Sequence, residues 1–108
     1  MSTALLTDRY ELTMIDAALR DGTAARPCVF ELFARRLPGA RRFGVVAGTG
    51  RLLQELREFR FGDDELRYLR DHAVVSTETL AFLEGYRFSG TIRGYREGEL
   101  YFPGSPIL

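Results

Sequence analysis

The chain has 108 residues, and its 15 basic and 15 acidic side chains cancel, with no basic run long enough to form the stripe a nucleic acid requires. A hydrophobic fraction of 45% with 12% aromatics describes one globular domain able to bury a core. Every basic side chain is Arg, Cys28 is the only cysteine and His72 the only histidine; this excludes P-loop, Schiff-base and biotin or lipoate lysines, an internal disulfide, and a zinc site built on Cys and His.

The first element is a helix opening in LLTDRYELTM, Leu5 to Met14. Asp8 is placed as N-cap with Glu11 at N3, a reciprocal capping box that satisfies two backbone donors; Thr7 is the alternative cap. Projected at about 100° per residue, Arg9, Thr13, Asp16 and Arg20 gather on one stripe facing water. Leu12, Met14, Ile15, Ala18 and Leu19 fall on the other side. Asp16 pairs with Arg20 at i,i+4, and Tyr10 falls between the two faces. The helix ends near Asp21-Gly22, where Gly takes the left-handed position.

A strand follows, in which Cys28, Phe30, Leu32 and Ala34 alternate with Val29, Glu31, Phe33 and Arg35, one face wholly apolar and the other mixed. Cys28 then reads as a small core residue. Leu37-Pro38-Gly39 breaks the strand, and Phe43 to Val46 reads as a short buried one. Gly48-Thr49-Gly50 turns into a helix with Leu52, Leu53, Leu56 and Phe59 on its apolar side and an exposed Arg51–Glu55 pair. Two shorter helices come next. One starts near Gly62, where Asp63, Asp64 and Glu65 suit the positive end of the dipole; the other starts near Ser76 and runs to Gly85. Leu66, Leu69, Leu80 and Leu83 are their core anchors. Thr91 to Tyr95, a turn at Glu97-Gly98 and Leu100 to Phe102 read as a hairpin ended by Pro103-Gly104. The fold class expected is α+β, a small mostly antiparallel sheet packed with helices, with no domain boundary inside 1–108. The apolar ending Pro106-Ile107-Leu108 reads as a stop in the middle of a larger fold.

Four segments in order, LLTDRYELTM, VFELFARRLPGARRFGVVAG, FGDDELRYLRDH and EGELYFPGSPIL, resemble the N-terminal part of nicotinate phosphoribosyltransferase. The resemblance spans the chain nearly end to end. It implies an N-terminal domain of a type II phosphoribosyltransferase, incomplete at its C-terminal end, whose irregular α/β barrel is absent from this chain. The implied reaction joins nicotinate to phosphoribosyl pyrophosphate, with Mg²⁺ balancing charge on the leaving group and ATP driving the equilibrium, in NAD biosynthesis. Those groups belong to the full-length enzyme and none to this chain alone, so the 108 residues by themselves are expected to be inactive. The phosphoribosyl pyrophosphate pocket and the histidine phosphorylated during coupling are expected on the barrel, and His72 is not that histidine.

The resemblance also assigns roles. The family's T-D-x-Y motif matches Asp8 and Tyr10, and its tyrosine stacks on the pyridine ring of nicotinate held in the barrel of a second subunit, so a homodimer is expected. For Tyr10 the residues alone allow an ordinary helix-edge side chain; for Asp8, a simple N-cap. Gly48-Thr49-Gly50-Arg51 superficially fits a phosphate-binding turn, but Leu53 stands where the third glycine belongs, and a tight turn is the plainer reading. The resembled family usually has Leu where Thr49 stands, a departure that bears on packing rather than chemistry. Arg35 and Arg36 match a basic pair that could serve an anionic substrate or a surface salt bridge. His72 suits the negative end of a helix. No export leader and no run of about eighteen apolar residues appears, so no membrane partner is expected and a cytoplasmic protein is. Two rival classes remain: a lipoyl- or biotinyl-like module, from the closing hairpin, and a non-catalytic interaction domain.

Overall fold

In chain order the elements are α1 (Arg9–Arg20), β1 (Gly44–Val45), α2 (Thr49–Glu58), α3 (Asp63–Asp71), α4 (Thr77–Gly85) and β2 (Leu100–Tyr101). They belong to a computed structural model that describes residues 3–108. Four helices with one two-stranded antiparallel sheet make this an α+β chain. It divides into two compact units, one made of the chain up to Pro27 with Arg57–Phe88, the other of Cys28–Leu56 with Ser89–Leu108.

The first unit is helical, and leucine spacing explains it. Leu66 and Leu69 on α3, and Leu80 and Leu83 on α4, recur at i,i+3, so each helix turns one apolar stripe inward. All four are buried, joined by Ala4, Leu12 and Phe61, with Leu5, Ile15, Phe59, Val74 and Val75 packed around them. Phe59 meets Phe61 and Tyr86 edge-on, at centroid distances of 5.7 and 6.2 Å, an arrangement the ring quadrupoles favour. Phe59 thus serves this core from beyond the end of α2. Met14, expected on the apolar side of α1, is exposed, because α1 contributes a narrow stripe centred on Leu12 and Ile15.

Helix ends follow their local chemistry. Asp8 is the N-cap of α1, but its side chain makes no capping bond, so the expected capping box is absent. The first turn is closed instead by Glu11 N–H donating to the Asp8 carbonyl at 3.1 Å. Gly22 takes φ +77° after the Asp21 C-cap. At α3 the Glu65 carboxylate accepts from Gly62 N–H at 2.9 Å. The same helix ends in paired reversed bonds, Ala73 N–H to Arg70 C=O and Val74 N–H to Leu69 C=O, both 3.0 Å, the Schellman pattern. Ala73 holds the left-handed position there at φ +47°. Ser76 caps α4, its hydroxyl accepting from Thr79 N–H.

The second unit contains the sheet. β1 pairs with β2 in antiparallel register, Gly44 opposite Tyr101 and Val45 opposite Leu100. Val46 N–H to Glu99 C=O and Gly98 N–H to Val46 C=O, both 2.9 Å, carry the ladder into the turn. The expected hairpin of 91–95 with 100–102 is therefore not formed. Its turn is present, with Gly98 at φ +86°, but the returning strand pairs with β1, while Tyr95 N–H reaches Ile107 C=O at 3.0 Å. The segment from Cys28 to Arg35 forms no strand; its backbone is tied at Leu32, to Ile107 and Leu108, and at Ala34, to Gly104. Phe30 and Leu32 are 88% and 54% exposed and Cys28 is exposed too, so the face expected to pack inward is largely open among the described residues. Val46 is buried as expected, whereas Phe43 and Val45 are exposed.

Candidate functional site

Asp8 and Tyr10 stand two residues apart at the opening of α1, which sets them on the rim of the helical unit. Asp8 has extended backbone, φ −75° and ψ 144°, and an exposed carboxylate. Tyr10 is 59% exposed. Its carbonyl accepts from the Thr13 hydroxyl at 3.0 Å, which secures the first turn while leaving the ring projecting. An exposed phenol ring offers a flat apolar face with a polar edge. Directly next to them Leu6, Thr7, Glu11 and Leu12 border an apolar groove of about 370 Å³ floored by Phe59, Phe61 and Leu83. Neither Asp8 nor Tyr10 lines it.

Asp16 was expected on a water-facing stripe; its side chain is 15% exposed. Its Oδ2 takes the Arg20 guanidinium at 2.7 Å, as i,i+4 spacing requires. Its Oδ1 accepts from Ser76 N–H at 2.9 Å and from the Thr79 hydroxyl at 2.6 Å, both at the start of α4. Hydrogen bonds from Ser76, then from Thr79, and more weakly the charge of Arg20 hold its pKa down, from 3.8 to about 2. With the folded value below the unfolded one, the stabilisation is complete above the unfolded value and is lost as pH falls through about 2. On acidification below about pH 4 the stability advantage of the native chain over Asp16→Ala should shrink. A difference that stays constant across thermal melts in this range would contradict it.

The glycine turn before α2 already has its anion. Gly48 N–H and Gly50 N–H donate to the two carboxylate oxygens of Glu97, at 3.1 and 3.0 Å. These are the amides a phosphate would need, so the turn is an internal cap, with Gly48 at φ +93°. Glu97 and the inward use of Asp16 were both missed from sequence. Glu97 lies in a turn whose spatial neighbour is legible only once β2 is known to pair with β1, and a helical projection shows direction but not what stands there.

Other singled-out residues have plain surroundings. Arg35, Arg36, Arg41 and Arg42 are exposed, and none of them takes part in the ion pairs Asp16–Arg20, Arg51–Glu55 and Asp64–Arg67. His72 is the C-cap of α3, its ring stacked on Tyr68 at 4.1 Å with Nδ1 2.9 Å from the Tyr68 carbonyl. No helix among the described residues is long and apolar enough to cross a membrane.

Fold and site together define a small α+β domain that presents an aromatic ring and a carboxylate from the start of its first helix. The chain belongs to the nicotinate phosphoribosyltransferase N-terminal domain family, whose model matches residues 5–108. It is 61% identical over 104 residues, 96% of its length, to nicotinate phosphoribosyltransferase pncB1 of Mycobacterium tuberculosis. It is 36% identical over 107 residues to the nicotinate phosphoribosyltransferase of Bacillus subtilis and 38% over 108 to that of Homo sapiens, covering 99% and 96% of the chain. The chain spans 20–23% of the length of these relatives. The carrier-module alternative loses its basis, since the hairpin that motivated it is not formed.

Proposed function

We propose that this chain supplies the N-terminal domain of an enzyme that joins nicotinate to phosphoribosyl pyrophosphate in NAD biosynthesis. The relatives' names support the reaction, and the observation that carries the domain's part in it is the outward-facing Tyr10 at the start of α1. In the reaction the nicotinate ring nitrogen forms a bond to C1 of the ribose while the C1–O bond to pyrophosphate breaks, the electron pair leaving with pyrophosphate. Tyr10 stacks on the pyridine ring of nicotinate bound in the barrel of a second subunit, which fixes the ring plane and hence the direction of the attacking lone pair. Asp8, the exposed N-cap residue of α1 with a carboxylate that makes no capping bond, sets its negative charge at the edge of the same site. The working assembly is thus a homodimer, in the cytoplasm, and these 108 residues alone are inactive.

Mg²⁺ and ATP belong to this scheme through the remainder of the enzyme. Among the described residues no three His, Cys, Asp or Glu side chains stand together as a metal site.

The test is substitution of Tyr10 in the complete enzyme. Tyr10→Ala removes an aromatic contact worth about 0.5–1.5 kcal/mol beyond its buried area, so the KM for nicotinate should rise several-fold. Tyr10→Phe should keep most of the affinity, and the KM for phosphoribosyl pyrophosphate should change little in either variant. Phe as harmful as Ala would transfer the role from the ring to the hydroxyl. Unchanged nicotinate kinetics in both would return Tyr10 to an ordinary helix-edge residue.

A further inference from the structure

A surface i,i+4 ion pair uses one carboxylate oxygen and leaves the other to water, but both oxygens of Asp16 are engaged. Oδ2 meets Arg20 at 2.7 Å, while Oδ1 receives two donors from residues 60 and 63 positions away, Ser76 N–H and the Thr79 hydroxyl. Thr79 is buried at 1% exposure. Its hydroxyl oxygen accepts from the Ser76 hydroxyl at 3.1 Å, so its proton is committed to Asp16 and the three groups form one directed chain. The negative carboxylate also lies at the positive end of α4, a favourable place for it. α4 is the helix against which α1 packs, and the polar bonds that join the two are these. Apolar contacts around Leu12 tolerate small slides and rotations; two hydrogen bonds converging on one oxygen do not.

We propose that Asp16 is the positioning residue that fixes the rotation and height of α1 on α4, and through that rigid helix the placement of the Tyr10 ring toward the nicotinate base. The proposal rests on the base-stacking reading of Tyr10. Tyr10 and Asp16 lie on one uninterrupted helix, Arg9–Arg20, so a rotation permitted at Asp16 is transmitted to the ring. Arg20, whose side chain is 75% exposed, contributes to neither bond at Oδ1.

The test is a double-mutant cycle in the complete enzyme, read as the KM for nicotinate against kcat and the KM for phosphoribosyl pyrophosphate. Asp16→Ala should raise the nicotinate KM several-fold with the phosphoribosyl pyrophosphate KM unchanged. In a Tyr10→Ala background the same substitution should add nothing, because the group it places is gone. Asp16→Asn, which keeps Oδ1 as acceptor, should restore most of the affinity, and Arg20→Ala should leave it intact. Thr79→Val removes the donor with Asp16 in place and makes the same comparison should Asp16→Ala not fold. If Tyr10→Ala raises the nicotinate KM and Asp16→Ala does not, or if the two effects simply add, the positioning role is overturned while the stacking role stands. If Tyr10→Ala is itself silent, the stacking reading fails, and any effect of Asp16→Ala then runs by another route, which overturns the proposal as well.

Discussion

Leu69→Ala and Leu83→Ala should each lower the stability of the helical unit by about 2–5 kcal/mol. Both side chains are 1% exposed, one from α3 and one from α4, and they sit in the buried cluster that joins those helices to Leu12 and Phe61. Truncation removes the transfer free energy of the lost methyl groups and leaves a cavity that the neighbouring leucines cannot collapse into without moving a helix. A domain of this size has about 5–15 kcal/mol in all, so either substitution takes a large share. Hydrogen exchange at the α3 and α4 amides should speed accordingly; exchange unchanged by both substitutions would show that the core is elsewhere.

Gly44→Ala should disrupt the sheet of the second unit by about 1–3 kcal/mol through overpacking. Gly44 faces Tyr101 across the β1–β2 pair, and the aromatic ring folds over the space a side chain would fill: a Cβ there would overlap Cζ, Cε1 and the hydroxyl of Tyr101. The missing side chain and the covering ring are one feature, an aromatic that shields a bare strand position. The ring must swing out or the strands must part, and the bond from Val46 N–H to Glu99 C=O adjoins the disturbed pair. Removing the ring should relieve the conflict, so Gly44→Ala in a Tyr101→Ala background should be milder than in the native chain. Equal penalties in the two backgrounds would contradict this geometry.

The helices were legible because their signals are local. Asp63, Asp64 and Glu65 after Gly62, Ser76 before Thr77, and Gly22 after Asp21 each mark an end within a few residues of themselves, and the leucines of α3 and α4 name their own buried side. The sheet was not, because pairing is set by distant chain. Glu97-Gly98 is a true turn, and proximity pointed to 91–95 as the partner of 100–102; Gly98 N–H instead bonds Val46 C=O. The alternation from Cys28 to Arg35 is equally real, but a period of two states which residues share a face and not what covers it. At the site, sequence named Asp8 and Tyr10 through a family motif, and the structure sets both on an exposed helix start. Asp16 and Glu97 escaped for one reason, since each is a surface-type acid whose partners are 60 and 63, and 47 and 49, residues away.

Whether these residues serve as a nicotinate phosphoribosyltransferase domain is tested most directly by exchange. The measurement is nicotinate-dependent release of pyrophosphate by the relative of 61% identity after its matching 104 residues are replaced by this chain. The expected result is turnover close to that of the unaltered relative, a higher nicotinate KM when the exchanged segment carries Tyr10→Ala, and no product from the 108 residues alone. A folded exchange protein that leaves nicotinate unconsumed, or product formed by the 108 residues by themselves, would contradict it.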